Sequence, residues 1–350
     1  MESKFLSTAI GSMPFDDLQK AVDVSMSCLD APIWPQLSKL GLYEQMEIQY
    51  SEGMPCVVID EEKGRMYFET SGDYSEAFAE FYEKYMEVDE GGGDLSFAAI
   101  SEKYSHGIYA TLKALKGKKL PWLKVQTTGP CSFALTIVDE NKRAIYYNEE
   151  FRDVIVKAMA LKCRWQLREF APYADKFICF IDEPILSAFG SSTYVSVKRE
   201  DVVAMLAEVI DAVHAEGGLA GIHCCGNTEW SILIDAGVDI VNFDAFEYGE
   251  TIALYADAVK KHLEAGKYLA WGVVPTSVKI RDESVDSLEA QLEKVMDHLA
   301  AKGIDKGLIA KQAMITPSCG TGSMDAGDAM KVFEMARDLS KRMKKKYNFA

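Results

Sequence analysis

From about residue 120 onward the chain alternates short apolar runs with long amphipathic stretches, and this alternation limits the folds open to it. The apolar runs are five to nine residues long and rich in β-branched and aromatic side chains, as buried strands are. They cover residues 122–128, 177–181, 219–224, 239–243, 268–274 and 308–316. Apolar residues recur at helical spacing between them, for example over 201–215, 252–264 and 287–301. Strands that alternate with helices predict parallel βαβ units.

The number and the ends of these strands bear on the architecture. Residues 8–13 add a seventh candidate, whereas an eighth is not placed, so an open doubly wound sheet stays possible on pattern alone. Nearly every candidate strand ends in a polar or turn-forming cluster, as in barrels whose active sites lie at the carboxyl ends of their strands. These clusters are Gly11-Ser12, Thr127-Thr128-Gly129-Pro130, Asp182-Glu183-Pro184, His223-Cys224-Cys225-Gly226, Asp244 and Ser318-Cys319-Gly320. We therefore predict a (β/α)8 TIM barrel.

The predicted barrel is a single domain over residues 1–350, with residues 30–120 as an N-terminal excursion. Within the excursion, residues 54–61 and 65–70 flank Glu62-Lys63-Gly64 and predict a β-hairpin. Residues 77–88 then predict a helix, which ends before the glycine-rich stretch at 89–94.

Composition and charge exclude several classes of function. The net charge of −16 disfavours nucleic acid as a partner, since phosphate neutralisation needs a basic surface. No apolar run reaches the roughly 18 residues of a membrane span, and the N-terminal residues do not resemble a secretory signal. The eight cysteines are scattered apart from one adjacent pair, which predicts reduced thiols, metal ligands and a cytoplasmic protein.

Three side chains at predicted strand ends have the character of metal ligands. His223 and Cys225 are two residues apart, so they share one face of a strand, while Cys224 points to the other face. Cys319 ends another predicted strand and so lies on the same rim. One imidazole and two thiolates suit zinc, and three protein ligands leave a fourth position open. Asp244 and Glu247 follow the next strand, and either carboxylate is a candidate ligand or outer partner.

The ligand set also indicates a chemistry. A free thiol has a pKa of about 8.5, and coordination to zinc deprotonates it. Two cysteine thiolates already on the metal donate charge and favour a nucleophilic substrate sulfur, whereas a zinc bound only by histidines favours activated water. The expected reaction is alkyl transfer to a small-molecule thiol.

Asp182 and Glu183 are adjacent on a strand, so only one of the two carboxylates can face the barrel interior.

Together these motifs resemble a known family. Ile10-Gly11-Ser12-Met13-Pro14, Thr128-Gly129-Pro130, Ile181-Asp182-Glu183-Pro184, His223-Cys224-Cys225-Gly226-Asn227 and Pro317-Ser318-Cys319-Gly320 occur in the family's order. The chain resembles the catalytic barrel of cobalamin-independent methionine synthase and the corrinoid-linked zinc methyltransferases of the uroporphyrinogen decarboxylase superfamily. The resemblance implies a zinc-dependent methyltransferase of methionine biosynthesis with His223, Cys225 and Cys319 as ligands. It also implies that Ser12 and Asp182 bind an amino-acid thiol such as homocysteine.

Departures from the synthase pattern bear on the methyl donor. The chain has no counterpart of the folate-binding half, and Gly320-Thr321-Gly322 replaces the stretch that follows the synthase's last ligand. The resemblance therefore implies a methyl-corrinoid (cobalamin) donor, carried by a partner corrinoid protein. Aligning strand ends matches Asp244 to the family carboxylate, and counting from His223 matches Glu247; we favour Asp244.

Two alternatives remain. One is a uroporphyrinogen decarboxylase-like enzyme, which needs arginines to bind its carboxylates. The decarboxylase carries them near its N-terminus, but the first arginine here is Arg65. The other is a barrel that binds without metal or catalysis. The thiol acceptor stays open, as does the oligomeric state, for which a homodimer is one candidate.

Overall fold

The computed structural model describes residues 2–349 of the chain. These residues form nine β-strands: β1 (Leu6–Ser7), β2 (Val57–Asp60), β3 (Arg65–Phe68), β4 (Leu123–Thr128), β5 (Phe177–Asp182), β6 (Leu219–Cys224), β7 (Ile240–Phe243), β8 (Tyr268–Val274) and β9 (Ala313–Pro317). They also form thirteen α-helices: α1 (Leu18–Cys28), α2 (Met46–Tyr50), α3 (Ser75–Asp89), α4 (His106–Leu115), α5 (Pro130–Thr136), α6 (Glu149–Phe170), α7 (Arg199–Ala215), α8 (Trp230–Asp235), α9 (Ala245–Tyr248), α10 (Ala256–Glu264), α11 (Val285–Ala300), α12 (Lys306–Lys311) and α13 (Ala326–Lys346).

Seven of the strands form one parallel sheet in the order β1-β9-β8-β7-β6-β5-β4. Its two edge strands are joined by residues 31–36. Ala31 N–H donates to Ser7 O at 3.0 Å on one side, and Lys124 N–H donates to Pro32 O at 2.8 Å on the other. The segment is therefore the eighth barrel strand. The predicted (β/α)8 barrel is confirmed.

Sequence patterns did not place this eighth strand, and its composition explains why. Pro32 and Pro35 have no N–H to donate, so the segment cannot form a continuous ladder with both neighbours. Its pairing is reduced to two isolated bridges, Ser12 with Gln36 and Ile33 with Lys124. Residues 31–36 thus form one strand of the barrel, and the N-terminal excursion begins after Gln36.

Two predicted strand boundaries were wrong, each for a local reason. Residues 308–316 were predicted as one strand, but their first part is helix α12, whose N-terminus is capped by Asp305 accepting from Leu308 N–H at 2.7 Å. Strand β9 begins only at Ala313. Residues 8–13 were predicted as the first strand, whereas β1 lies just before them. The hairpin prediction is confirmed, because β2 and β3 pair antiparallel.

Alternate residues of the barrel strands fill its interior. The apolar residues there are Leu6, Ile10, Ala31, Ile178, Phe180, Ile240, Tyr268, Ala270 and Met314. Gly221 makes room for the Phe180 ring, because a Cβ at that position would lie 2.4 Å from it. The Lys124 ammonium is fully buried 4.5 Å from the centre of the same ring. Burial lowers the pKa of this lysine to about 8.

The excursion packs on the outside of the barrel through aromatic side chains. Phe68 of β3 and Phe78 of α3 both contact Phe151 of α6 edge to face, with ring centres 5.4 and 4.9 Å apart. Its first part, residues 37–46, lies at the carboxyl ends of the strands. The excursion thereby contributes one wall of the pocket described below.

Closure of the barrel depends on a close contact at Gly107, the second residue of α4. A Cβ there would lie 1.8 Å from the carbonyl oxygen of Pro35, so only glycine allows the helix to approach residues 31–36. We predict that Gly107→Ala lowers the free energy of unfolding by about 3 kcal/mol, the upper part of the range for overpacking. Urea unfolding measures this. Gly92→Ala, which meets no atom within 4 Å, is the matched control. Equal midpoints for the two variants would contradict the packing described here.

Candidate active site

The site begins at the carboxyl end of β6. Along this strand alternate residues face the barrel interior, which brings His223 inward at 3% exposure. Cys225 follows on the same side. Cys224 is fully buried on the opposite side, with its sulfur 3.6 Å from Gly226 O. The two neighbouring cysteines therefore have different environments, as the spacing predicted.

Cys319 reaches the same place from the loop after β9. Ser318 anchors this loop, since its N–H donates to Val274 O at 2.8 Å and its hydroxyl accepts from Thr276 N–H at 3.1 Å. Gly320 packs directly on Ser12, where a Cβ would lie 2.0 Å from the serine hydroxyl. The loop thus holds the Cys319 thiol near β6. One nitrogen of His223 and the sulfurs of Cys225 and Cys319 all lie within 4.8 Å of one another.

Asn242 of β7 fixes the orientation of the His223 ring. In the parallel register it lies beside His223, and its side-chain oxygen is 2.6 Å from His223 Nδ1. The Asn242 amide nitrogen donates to Ala270 O at 2.9 Å and to Thr316 Oγ1 at 2.8 Å, so its oxygen must be the acceptor. Nδ1 therefore carries the proton. Nε2 is turned toward the two cysteines, and it is buried without a hydrogen-bond partner among residues 2–349.

Sequence reasoning missed Asn242. The available signal was an amide within an otherwise apolar strand, two residues before Asp244 and so on the same face.

The charges of the three clustered side chains are linked. The Cys319 thiol donates a hydrogen bond to Cys225 and, together with the adjacent His223 side chain, lowers the pKa of Cys225 far below that of a free thiol, although burial opposes this. The same hydrogen bond raises the pKa of Cys319, and burial adds to the increase. Burial opposes the charged form of His223, but Cys225 and Asp182 outweigh it and raise its pKa. One thiolate is thus favoured by the protein itself, and a thiolate is the form in which cysteine binds metals.

A pocket of about 230 Å³ opens beside the cluster and contains both predicted substrate-binding residues. Asp182, at the end of β5 and paired in register with His223, has its Oδ1 buried without a hydrogen-bond partner among the described residues. Burial raises its pKa, and Lys124 and His223 only partly offset this. The Ser12 hydroxyl accepts from Gly322 N–H at 3.3 Å, which leaves its own proton free to donate.

Glu183 points away from this pocket, as its position next to Asp182 predicted. Its carboxylate accepts from the N–H groups of Cys131 and Ser132 at 2.9 and 2.7 Å, at the start of α5. One carboxylate, Asp182, therefore lines the pocket.

The structure does not bring Asp244 or Glu247 into the cluster of ligand atoms. The Asp244 carboxylate caps α9 by accepting from Glu247 N–H at 2.8 Å. Glu247 forms an ion pair with Lys279, and its side chain is 43% exposed. Sequence spacing did not reveal that a helix begins directly after β7 and engages both residues.

The part of the pocket wall next to Ser12 was also missed. It is built by Gln36, Ser38, Gln45 and Met46, which belong to the eighth strand and the start of the excursion. Neither lysine nor arginine is among the residues that line the pocket. A substrate with many carboxylates, as in the uroporphyrinogen decarboxylase alternative, would therefore meet no cationic side chain there.

Comparisons with known proteins give similar solved structures but no matching family model and no matching curated protein. Among solved structures, it is similar to the endo-beta-mannanase/endo-beta-glucanase of Prevotella bryantii, with 14% identity and a TM-score of 0.36 over 69% of this chain. The chain spans 40% of that protein's length. It is also similar to ZgEngAGH5_4, solved in complex with a cellotriose, with 12% identity and a TM-score of 0.38, covering 94% of this chain and 99% of the other.

These findings correct the family predicted from the motifs. The matching structures are an endo-beta-mannanase/endo-beta-glucanase and a protein bound to a cellotriose, not a methionine synthase or a uroporphyrinogen decarboxylase. The predictions of a methyltransferase, of methionine biosynthesis and of cobalamin as methyl donor are therefore wrong. The physical reason is that His-x-Cys and Pro-x-Cys-Gly are short motifs, and strand ends on one barrel rim can bring such ligands together whatever the reaction. At these identities, the likeness extends no activity to this chain.

The remaining predictions concern membrane spans, partners, location and oligomeric state. Within residues 2–349, no helix has both the length and the apolar character required to cross a bilayer. Binding of a corrinoid or its carrier protein, the cytoplasmic location and the homodimer stay predictions.

The raised pKa of Asp244 allows a test of how this carboxylate affects the stability of the folded protein. Burial raises its pKa to about 6, above the ordinary value of 3.8, and Glu247 and Cys225 add to the increase. Its contribution to stability is thus complete below pH 3.8 and is lost as the pH rises through 6. We predict that Asp244→Asn, which keeps a capping oxygen, raises the free energy of unfolding of metal-free protein at pH 8 by about 1–3 kcal/mol, and that the gain vanishes near pH 4.

Urea unfolding at several pH values measures this difference. Asp305→Asn, at the exposed N-terminus of α12, is the control for the cap itself. If Asp244→Asn were less stable than the unsubstituted protein at pH 8, the burial cost assigned to Asp244 would be refuted.

Proposed function

We propose that this chain is a zinc-dependent enzyme that binds a small thiol in the pocket at the carboxyl end of its barrel. One observation carries the proposal. The Nε2 atom of His223 is buried without a hydrogen-bond partner among the described residues, and one nitrogen of this ring lies within 4.8 Å of the sulfurs of Cys225 and Cys319. A buried polar atom left unpaired costs about 1–3 kcal/mol, so it calls for a ligand.

The donor set favours zinc among the common metals. Imidazole and thiolate suit zinc, whereas magnesium and calcium prefer oxygen ligands. The Asn242–His223 hydrogen bond is the outer partner that metal-binding histidines usually have. Three protein ligands leave one position of a tetrahedral zinc open, and the adjoining pocket is where a substrate atom would approach it.

The pocket and the ligand charges support a thiol as that substrate. Zinc supplies one effect here: it lowers the pKa of a coordinated thiol, so that the sulfur is present as the thiolate. Cys225 and Cys319 offset the charge of the ion, which favours a reactive sulfur over an activated water. The pocket of about 230 Å³ is smaller than those that hold drug-sized molecules, which supports a small substrate.

Asp182 and Ser12 would bind the remainder of the substrate. The unpaired Oδ1 of Asp182 accepts a hydrogen bond, so it favours an ammonium or a hydroxyl on the ligand. The free proton of the Ser12 hydroxyl is available to an acceptor. An aminothiol meets these requirements with its sulfur at the metal and its ammonium at Asp182.

Metal content tests the proposal, and the adjacent cysteines provide matched variants. Protein produced with zinc available should contain about one zinc per chain by elemental analysis. Cys225→Ser and Cys319→Ser should each lower the content to a small fraction, because each removes a thiolate ligand. Cys224→Ser, at the neighbouring position on the other face, should keep it.

Two results would refute the proposed site. One is purified protein that takes up no zinc, as the metal-free binding barrel would. The other is zinc that all three variants retain equally, which would place the metal elsewhere.

A further inference from the structure

A chain of hydrogen bonds runs from the pocket wall into the excursion. Gln36, which lines the pocket at 7% exposure, donates from Nε2 to Gln49 Oε1 at 2.8 Å. Gln49 is fully buried and donates from Nε2 to Glu44 Oε2 at 3.1 Å. Glu44, at 1% exposure, lies at the far end of this relay of three side chains. The proposed zinc site uses neither Gln49 nor Glu44.

Glu44 fixes the direction of the relay. Its carboxylate can only accept, and Oε1 already receives the backbone N–H of His106 at 2.7 Å. Oε2 therefore receives the amide nitrogen of Gln49. That nitrogen also donates to the carbonyl oxygen of Tyr104 at 2.8 Å. A flipped Gln49 would turn its oxygen toward these two acceptors and lose both hydrogen bonds, so one orientation is fixed.

The orientation is passed on to Gln36. Because Gln49 presents its oxygen, Gln36 must present its nitrogen to it, and its own carbonyl oxygen points away from Gln49. That oxygen accepts no hydrogen bond from any of residues 2–349. Gln36 thus adds an acceptor without a protein donor to the wall of a pocket that is lined by neither lysine nor arginine.

We infer that Gln36 is a specificity-determining residue, held as a hydrogen-bond acceptor by Glu44 and Gln49, which act as positioning residues. It selects a ligand that carries an N–H donor at this wall over an equally large apolar one. The inference rests on the proposed function for the thiol that brings the ligand into the pocket. The relay itself stands on hydrogen bonds that do not involve the metal ligands.

Two thiols of matched size test the selection. Cysteamine carries an ammonium where 1-propanethiol carries a methyl group. Their affinities are measured on protein loaded with Co²⁺ in place of zinc, by the change in visible absorption when sulfur binds. The unsubstituted protein should bind cysteamine at least tenfold more tightly. Gln36→Leu should reduce this ratio about tenfold, while Asp182 retains part of it. Glu44→Gln should reduce the ratio less, because the carbonyl oxygen of Tyr104 still accepts from Gln49. Gln19→Leu, at an exposed glutamine of α1 that does not line the pocket, should leave the ratio unchanged.

A double substitution tests the relay without relying on loss of function. Gln36→Glu alone places a carboxylate against the Gln49 oxygen and should weaken folding and cysteamine binding. Adding Glu44→Gln removes one of the two acceptors that hold Gln49, while the carbonyl oxygen of Tyr104 remains, so the pair should recover part of the loss although residues 36 and 44 share no hydrogen bond.

The outcomes separate the inference from the proposed function. If neither thiol changes the Co²⁺ absorption, the proposed thiol site fails. If both thiols bind, but with the same ratio in Gln36→Leu, Glu44→Gln and the unsubstituted protein, the role of Gln36 is refuted. Additive effects in the double variant would refute the fixed relay.

Discussion

Closure of the barrel by residues 31–36 is the constraint on which the site depends. The segment joins β1 to β4 and turns an open parallel sheet into a ring, so strand ends far apart in sequence face one another. Ser12, Asp182, His223 and Cys319 come from four such ends. The closing segment also supplies Gln36 to the pocket. Its two prolines prevent a full hydrogen-bond ladder, and the close contact of Pro35 with Gly107 helps to keep the segment in place.

Buried amides orient the reactive groups on both sides of the pocket. Asn242 is fixed by two acceptors and in turn fixes the proton of His223. Gln49 is fixed by Glu44 and Tyr104 and in turn fixes Gln36. In each case an amide has both ends satisfied and transmits one polarity to a residue that faces the pocket. Fully satisfied networks of this kind specify one arrangement of a core. Here the first leaves His223 Nε2 buried without a partner among the described residues, and the second leaves the Gln36 side-chain oxygen without a protein donor.

How far the sequence could predict this arrangement follows from the kind of signal involved. Short apolar runs predicted the positions of β4 to β8 well, because buried parallel strands are continuous apolar runs. Side-chain alternation separated Cys225 from Cys224 correctly, since it depends only on strand geometry. Residues 31–36 carry no such pattern. The roles of Asn242 and Gln36 arise from partners distant in sequence, which no local pattern encodes. The family prediction was wrong for a related reason, because it depended on short motifs at strand ends rather than on a pattern over the whole chain.

X-ray absorption at the zinc edge of the purified protein tests the central claim most directly, because it reports the atoms around the metal. We expect two sulfur ligands at about 2.3 Å and one imidazole nitrogen at about 2.0–2.1 Å, with a fourth, lighter ligand completing the tetrahedron. That result would show His223, Cys225 and Cys319 acting together with one position open. A shell of oxygen and nitrogen alone, or one of four sulfurs, would contradict the account.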